Sequence, residues 1–213
     1  MIRSWLCSPL QRLFPRTPAR PNRVWSYDAA LNERFSFQVG LRDEVSDLQQ
    51  AHGATAVTCR VAAPRGWTVR VRRVGHVPVA HRNTATPASD IDGVANYPGF
   101  VPDPLFDEDE LTLPPAETQS FYITLVPARR ARPGTFPVTV TLAHKEGGTI
   151  RAHTARVTLH DVTIRPRRAF PVVQWFYADQ LIDWYKTDLF DDRFFQIAET
   201  YFRNLAAHGQ DTA

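Results

Sequence analysis

The sequence contains few of the residue types on which several kinds of function depend. Its 213 residues include only two cysteines, Cys7 and Cys59, which give no disulfide framework. Its single methionine is too little for an adaptable Met-rich binding groove. No apolar run approaches the length of about 18 residues that a membrane span needs, and the basic N-terminus lacks the apolar core of a secretory signal. We therefore predict a cytoplasmic protein without a membrane partner.

Sequence motifs for nucleotide, zinc and calcium chemistry are also missing. The chain has no P-loop and no GxGxxG, and its seven histidines form no HExxH or HxxxH pair. The run Asp90, Ile91, Asp92 and Gly93 is similar to part of a calcium loop, but the other ligands and the terminal glutamate are absent. We predict no metal site and no cofactor, and no serine or cysteine has partners that would make it a nucleophile.

The net charge is only +3, and the basic residues are nearly all arginines, with Lys145 and Lys186 as the two lysines. The arginines cluster at three places: Arg70, Arg72 and Arg73; Arg129, Arg130 and Arg132; and Arg165, Arg167 and Arg168. Such clusters can form a nucleic-acid surface, or they can be a solvated strand face. The acidic residues 107–110 offset them and no nucleic-acid motif is present, so we predict no nucleic-acid partner.

Most of the chain has the alternating pattern of half-buried β-strands. In RFSFQVGL the apolar side chains that face one way are Phe35, Phe37, Val39 and Leu41, and polar residues lie between them. AVTCRVAA, SFYITLVP and TFPVTVTL repeat this pattern, and Gly147 with Gly148 predicts a hairpin turn. At least six strands at this spacing predict an antiparallel, immunoglobulin-like β-sandwich of two sheets, which we assign to residues 23–165.

Two segments depart from this pattern within or before the sandwich. Residues 1–22 are rich in proline and arginine, and we predict that they form an extension outside the fold. Residues 76–118 are rich in proline, aspartate and asparagine, and we predict one long excursion with little regular structure.

A change of pattern after Arg168 predicts a second domain over residues 166–213. Residues 170–177 form a nearly unbroken apolar run, which is typical of a strand covered on both faces. From Asp192 onward the apolar spacing is helical, with Asp191 or Asp192 as the N-cap and Gly209 as the terminating glycine. A strand followed by a helix, after a series of hairpins, indicates a change of architecture.

The segment FPVVQWFYADQLIDWY contains the candidate binding residues Trp175, Tyr177 and Asp179. On a strand, Trp175 and Tyr177 would point the same way and could present flat faces to a sugar ring. Asp179 follows where the helix starts, and its carboxylate could accept hydrogen bonds from hydroxyl groups. The alternative is that these aromatic side chains belong to the core. Their position argues for a site, because the carboxyl ends of strands form the active face of β/α barrels.

Four segments together resemble glycoside hydrolases similar to family 123. They are SYDAALNERFSFQVGLR, YPGFVPDPLFD, LPPAETQSFYITLVPARRARPGTFPVTVTL, and FPVVQWFYADQLIDWY with the following helix that ends in HGQ. The resemblance extends over about residues 24–213. It implies an N-terminal β-sandwich followed by a (β/α)₈ barrel, of which this chain holds the first strand–helix unit.

The resemblance also implies an activity and a partner. The parent protein would hydrolyse O-glycosidic bonds, with N-acetylhexosaminides as candidate substrates. It would act with retention, with the acetamido group of the sugar as nucleophile, assisted by an Asp–Glu pair. That pair would lie on later barrel strands. Neither Asp191 with Asp192 nor residues 107–110 match it, so we assign no catalytic residue and predict that this chain is itself inactive. The implied ligand is a glycan.

Two other functions fit the same sequence. The sandwich could be a carbohydrate-binding module, with Trp67, Tyr97 or Phe100 exposed on a sheet face or loop rim, or a structural or interaction domain without a ligand. A single βα unit cannot close a barrel, so its strand would lack parallel neighbours. We predict that residues 168–213 pack onto the sandwich, stay loosely ordered, or self-associate through the unpaired strand.

Overall fold

The computed structural model describes residues 1–22, 25–45, 53–79, 87, 89, 99–165, 170–173 and 175–211. The chain divides into two compact units, Met1–Ile164 and Arg165–Ala213. We call them the sandwich unit and the C-terminal unit. The division falls one residue before the boundary at 165/166 that the sequence pattern predicts.

The described part of the sandwich unit has ten strands in two five-stranded sheets, as the alternating pattern predicts. In chain order they are β1 (Ile2–Cys7), β2 (Trp25–Ala30), β3 (Phe35–Asp43), β4 (Thr55–Ala62), β5 (Thr68–Val79), β6 (Gly99–Phe106), β7 (Glu110–Leu113), β8 (Thr118–Val126), β9 (Gly134–His144) and β10 (Thr149–His160). One sheet has the order β1-β3-β8-β5-β6 and the other β2-β10-β9-β4-β7. The sheets are not wholly antiparallel, because β2 pairs with β10 in the parallel sense.

A single core lies between the two sheets. The residues that the alternation in β3 selects are buried, with Phe37, Val39 and Leu41 at 0% exposure. They meet inward side chains of the other sheet, such as Val140 and Val157, in one continuous apolar cluster. Removal of this apolar surface from water is the main force that holds the sheets together.

The predicted extension over residues 1–22 is wrong, because its first strand belongs to the fold. Strand β1 pairs antiparallel with β3, from Ile2 opposite Asp43 to Cys7 opposite Gln38. Trp5, Cys7 and Leu13 form a small buried cluster of their own. It covers Gly40 on the outer face of β3, where an added Cβ would lie 2.7 Å from the Trp5 ring. The glycine leaves space for the indole.

Polar side chains of β3 hold the segment that follows β1. The side-chain amide of Gln38 donates to the carbonyl oxygens of Ser8 (3.1 Å) and Gln11 (2.7 Å). The guanidinium of Arg42 donates to the carbonyl of Pro15 at 3.2 Å. Sequence alternation assigns these β3 positions to solvent. They instead satisfy backbone groups of a segment that has no sheet partners of its own.

The predicted excursion over residues 76–118 is also wrong where the structure describes it. Strand β5 continues to Val79 and pairs with β6, and β7 pairs with β4. Both β6 and β7 are edge strands, so Pro102 and Pro104 can lie in β6 without interrupting a central ladder. The calcium-like run at residues 90–93 and Tyr97 lie outside the described residues.

The C-terminal unit contains two helices, α1 (Asp179–Tyr185) and α2 (Asp192–Ala207). The predicted N-cap is confirmed, since the carboxylate of Asp191 accepts from the Phe194 amide at 2.6 Å. Gly209 follows the helix with φ +91°, as expected for a terminating glycine. The predicted strand over residues 170–177 is wrong, because no strand is assigned in its described part. Strands need a continuous ladder of hydrogen bonds, and the described pairing here is confined to Val172 and Val173.

Candidate functional site

The segment before α1 presents two aromatic rings on one side. Trp175 is 86% exposed and Tyr177 is 62% exposed, and their ring centroids lie 6.5 Å apart at an interplanar angle of 74°. Phe176, between them, turns inward and packs against Phe202 at 5.1 Å. The predicted in-and-out alternation therefore holds although the segment is not a strand. Trp175 and Tyr177 do not belong to the core.

A small apolar core supports this segment. Leu181 of α1 is buried against Phe194 and Ala198 of α2, and Phe176 packs on the same cluster. The helices thus fix Phe176, and because successive side chains of an extended segment point to opposite sides, they direct its two neighbours outward. The arrangement can offer an edge-to-face aromatic pair to a flat apolar partner, such as the CH face of a sugar ring.

Asp179 is the first residue of α1, two positions after Tyr177, and it is exposed. The N-cap residue of this helix is Ala178, which has no side-chain acceptor for the first-turn amides. A carboxylate in the first turn is favoured there by the helix dipole. The structure thus brings Trp175 and Tyr177 into contact and leaves the carboxylate of Asp179 open to solvent near them in the chain.

The start of α2 is held by a compact hydrogen-bond cluster at Asp191. Besides the Phe194 amide, its carboxylate accepts from the hydroxyl of Thr187 at 3.0 Å and from the amide of Asp188 at 3.4 Å. These donors, the Phe194 amide first, lower the pKa of Asp191. The carboxylate is therefore committed to helix capping and is not a candidate catalytic group.

A second contact ties the two helices together. The hydroxyl groups of Tyr185 and Tyr201 lie 2.9 Å apart. This hydrogen bond is the main cause that raises the pKa of Tyr201. Both hydroxyls thus belong to the packing of α1 on α2.

The two ends of the C-terminal unit meet at one residue pair. The amide of Asp211 donates to the carbonyl of Val172 at 3.0 Å, and the amide of Val172 donates to the carboxylate of Asp211 at 2.8 Å. The chain thus leaves Val172, passes through both helices and returns beside its starting point.

Further aromatic side chains are exposed on the C-terminal unit, and the sequence patterns did not single them out. They are Phe170, Trp184, Phe190, Phe195, Tyr201 and Phe202. Along α2, Phe195 and Phe202 flank a shallow hollow of about 440 Å³ that also includes Ala198. The adjacent pair Phe194 and Phe195 was a sequence signal for an exposed ring on α2. Neighbouring residues on a helix cannot both face the same core, so one of the two rings had to lie outside it.

Three of the four acidic residues at positions 107–110 of the sandwich unit form ion pairs. Arg70 binds Asp107 (2.8 Å) and Arg73 binds Glu108 (2.6 Å), and Lys145 binds Glu110 at 2.9 Å. The Arg73 guanidinium also lies 4.4 Å from the centroid of the Phe106 ring. Arg73 and residues 107–110 also line a hollow of about 680 Å³. The described residues contain no cluster of histidine, cysteine or carboxylate groups that could hold a metal ion.

The aromatic residues proposed for a binding face on the sandwich itself are only partly available. Trp67 is half-buried and packs against the core, with its ring edge-on to Phe35 (6.1 Å) and Phe136 (5.7 Å). Phe100 on the edge strand β6 is 57% exposed. Because Trp67 packs against the core, the largest of these candidate rings is not free to bind a sugar on the sheet face.

Comparison with known proteins identifies a solved structure with a similar fold. No family model matches the chain, and no curated protein matches it. The solved structure of a family 123 glycoside hydrolase from Clostridium perfringens, described for glycolipid glycan hydrolysis, is similar with a TM-score of 0.75 at 11% identity. The similarity covers 99% of this chain and 36% of that one. The chain therefore has the fold of about one third of that enzyme.

Other solved structures are less similar. AvmM, which catalyses macrocyclization in alchivemycin A biosynthesis, has a TM-score of 0.37 at 12% identity and covers 79% of this chain and 92% of its own. A collagen-binding domain from a Staphylococcus aureus adhesin has a TM-score of 0.30 at 10% identity, with coverages of 65% and 99%.

A helix that crosses a membrane must be both long and apolar. Neither α1 nor α2 is both long and apolar enough to cross a bilayer.

Proposed function

We propose that this chain is the N-terminal portion of a glycoside hydrolase-like protein whose complete form hydrolyses O-glycosidic bonds, with N-acetylhexosaminides as candidate substrates. The observation that carries the proposal is the similarity to the family 123 enzyme, which extends over both units of the chain. The four sequence segments that resemble the same family support it independently. In this proposal the chain supplies the sandwich and the first strand–helix unit of a barrel, and the catalytic carboxylates lie outside it.

The pairing of Val172 with Asp211 supports the barrel part of the proposal. In a (β/α)₈ barrel, the strand after the first helical connection lies parallel to and beside the first strand. Residues 210–213 are where that second strand would begin, and Asp211 already makes a backbone hydrogen bond to Val172. The segment 170–177 would then become a true strand once its neighbours on both sides are present.

Trp175, Tyr177 and Asp179 would form one wall of the sugar site. Trp175 and Tyr177 lie at the C-terminal end of the proposed first strand and Asp179 lies just beyond it, on the side where barrel enzymes bind substrate. The exposed rings suit the apolar face of a pyranose, and the carboxylate suits its hydroxyl groups. None of the three is assigned a catalytic role.

The test is to read the DNA that follows codon 213 in all frames, join any further strand–helix coding sequence to this chain, and express the joined protein. We expect it to hydrolyse chromogenic N-acetylhexosaminides or related glycosides with retention of the anomeric configuration, measured by NMR. Trp175→Ala in that protein should raise KM with little change in thermal stability.

The 213-residue chain is the matched control and should show no hydrolysis. A joined, folded protein that hydrolyses no glycoside would overturn the proposal. So would hydrolysis by the 213-residue chain, because it would require a catalytic pair within the residues present.

A further inference from the structure

Three connections between the two sheets meet at one end of the sandwich. The segments 31–34, 63–67 and 127–133 join β2 to β3, β4 to β5 and β8 to β9. Strand pairing puts them side by side, because Phe35 lies opposite Leu125 and Thr68 lies opposite Val126. The topology thus brings together three loops that are far apart in the sequence. We call this surface the basic end.

The basic end carries five exposed arginines, contributed by all three loops: Arg34, Arg65, Arg129, Arg130 and Arg132. Two carboxylates lie in the same region. Glu33 accepts a hydrogen bond from the Ala30 amide, and Asp161 follows the end of β10. Positive charge is therefore in excess at this end of the sandwich.

These arginines differ from those on the side of the sheet. Arg70 and Arg73 on β5 are neutralised by Asp107 and Glu108. Among the described residues, the arginines of the basic end form no ion pair. Like charges held together repel each other, which is unfavourable unless an anion binds between them.

Backbone turns close two of the loops that carry the arginines. The amide of Ala131 donates to the carbonyl of Ala128 at 2.8 Å, and the amide of Trp67 donates to the carbonyl of Pro64 at 3.1 Å. The two turns touch: a Cβ added at Gly66 would lie 3.4 Å from Cβ of Ala128.

We propose that the basic end binds an acidic glycan, with its guanidinium groups paired to carboxylate or sulfate groups of the chain. Guanidinium forks match the two oxygens of such groups in a bidentate way. The glycan class rests on the proposed function. A single-stranded nucleic acid fits less well, because it is held by stacking on exposed aromatic rings, and Trp67, the aromatic residue of these loops, packs on the core.

The experiment measures binding of the full 213-residue chain to labelled oligosaccharides by fluorescence anisotropy at low and at high ionic strength. The probes are a heparin oligosaccharide, an oligogalacturonate, a neutral dextran oligomer and an oligothymidylate of similar charge. The oligogalacturonate carries only carboxylates, so its comparison with heparin separates the two anionic groups. We expect binding of one or both acidic glycans that weakens with salt, and no binding of dextran.

Two triple variants make the test specific. Arg65→Ala with Arg129→Ala and Arg130→Ala should weaken glycan binding by about tenfold or more. Arg60→Ala with Arg151→Ala and Arg156→Ala removes the same charge from exposed strand positions and should change it by about threefold or less. All six positions are exposed, so both variants should fold, which circular dichroism checks.

Equal losses in the two variants would overturn the proposal, since net charge alone would then explain binding. Binding of the oligothymidylate in preference to both glycans would also overturn it. The result is separable from the proposed hydrolase function. Failure of glycan binding here leaves the activity of the joined protein to be measured, and binding here would stand if that protein had no activity.

Discussion

The Nε2 atom of His153 lies 2.8 Å from the hydroxyl oxygen of Ser4. His153 is on β10 and Ser4 is on β1, so the contact links the two sheets. The Nδ1 atom lies 3.0 Å from the side-chain oxygen of Asn22. That oxygen can only accept, so Nδ1 carries the proton and Nε2 accepts from Ser4. The neutral imidazole thus fastens both ends of the N-terminal segment to the second sheet.

This arrangement predicts that the sandwich loses stability in mild acid. Burial first, and then the nearby charge of Arg151, lower the pKa of His153, and burial likewise lowers the pKa of His76. Because the unfolded chain takes up these protons more readily, unfolding becomes easier as pH falls through the unfolded value of about 6.5. Chemical denaturation between neutral and mildly acidic pH measures this slope.

His153→Gln should reduce the dependence of the free energy of unfolding on pH, because it removes one of the two groups. His144→Gln, which changes an exposed histidine, is the control for the substitution itself. A slope that is unchanged in His153→Gln would contradict the assignment of the acid sensitivity to this residue.

Gly40→Ala should destabilise the sandwich by about 1–3 kcal/mol, the cost of overpacking a filled site. The new methyl group would lie 2.7 Å from the Trp5 ring and 2.8 Å from a methyl group of Leu13, so both must move. Gly53→Ala, where nothing lies within 4 Å, is the control. Urea unfolding gives both values, and equal effects would show that residues 1–22 are not packed on β3 as described.

The sequence predicts those parts of the fold that depend on local periodicity. Phe35, Phe37 and Val39 could be assigned to the core because alternation in a strand is a local property. The packing of Trp5 and Leu13 could not, because that segment has no period of its own and is ordered by side chains of β3. The parallel pairing of β2 with β10 joins residues more than a hundred positions apart, which no local pattern encodes.

In the candidate site, too, local periodicity predicts some features, and others depend on the tertiary fold. The outward direction of Trp175 and Tyr177 follows from alternation, and their exposure corrects the alternative that they are core residues. The basic end was missed as a unit, because Arg34, Arg65 and Arg129 meet only through the strand order of the two sheets. Composition alone indicates that the chain is rich in arginine, but it does not show where on the fold the positive charge accumulates.

Asp191→Ala should destabilise the C-terminal unit, because it removes the side-chain acceptor that caps the start of α2. The pKa of Asp191 is lowered in the folded state, so its contribution is present above the unfolded value of about 3.9 and is lost as pH falls further. Thermal unfolding followed by circular dichroism at neutral pH measures the loss. Asp183→Ala, at an exposed position of α1, should change stability by less than about 0.5 kcal/mol.

Trp175→Ala and Phe176→Ala should differ strongly in their effect on stability although the residues are adjacent. Trp175 is 86% exposed, so its loss should change stability by less than about 0.5 kcal/mol. Phe176 packs on Phe202 and Tyr201, and its loss should cost about 2–4 kcal/mol. Denaturant unfolding distinguishes the two. A large cost for Trp175→Ala would mean that the indole is structural, and it would no longer be a candidate for ligand contact.

The exposed apolar side chains of Phe170, Val173, Trp175 and Tyr177 should make the chain self-associate as its concentration rises, because exposed apolar groups favour contact with another copy. Sedimentation velocity over a range of concentrations measures this, and limited proteolysis of residues 168–213 in dilute solution tests whether the segment is loose before it pairs. Val173→Glu should reduce self-association. Val162→Glu is the matched control, because Val162 and Val173 have nearly the same exposure, 58% and 59%, and lie in different units. If both substitutions reduce self-association equally, association does not run through the segment before α1, and a chain that stays monomeric at every concentration would contradict the prediction itself.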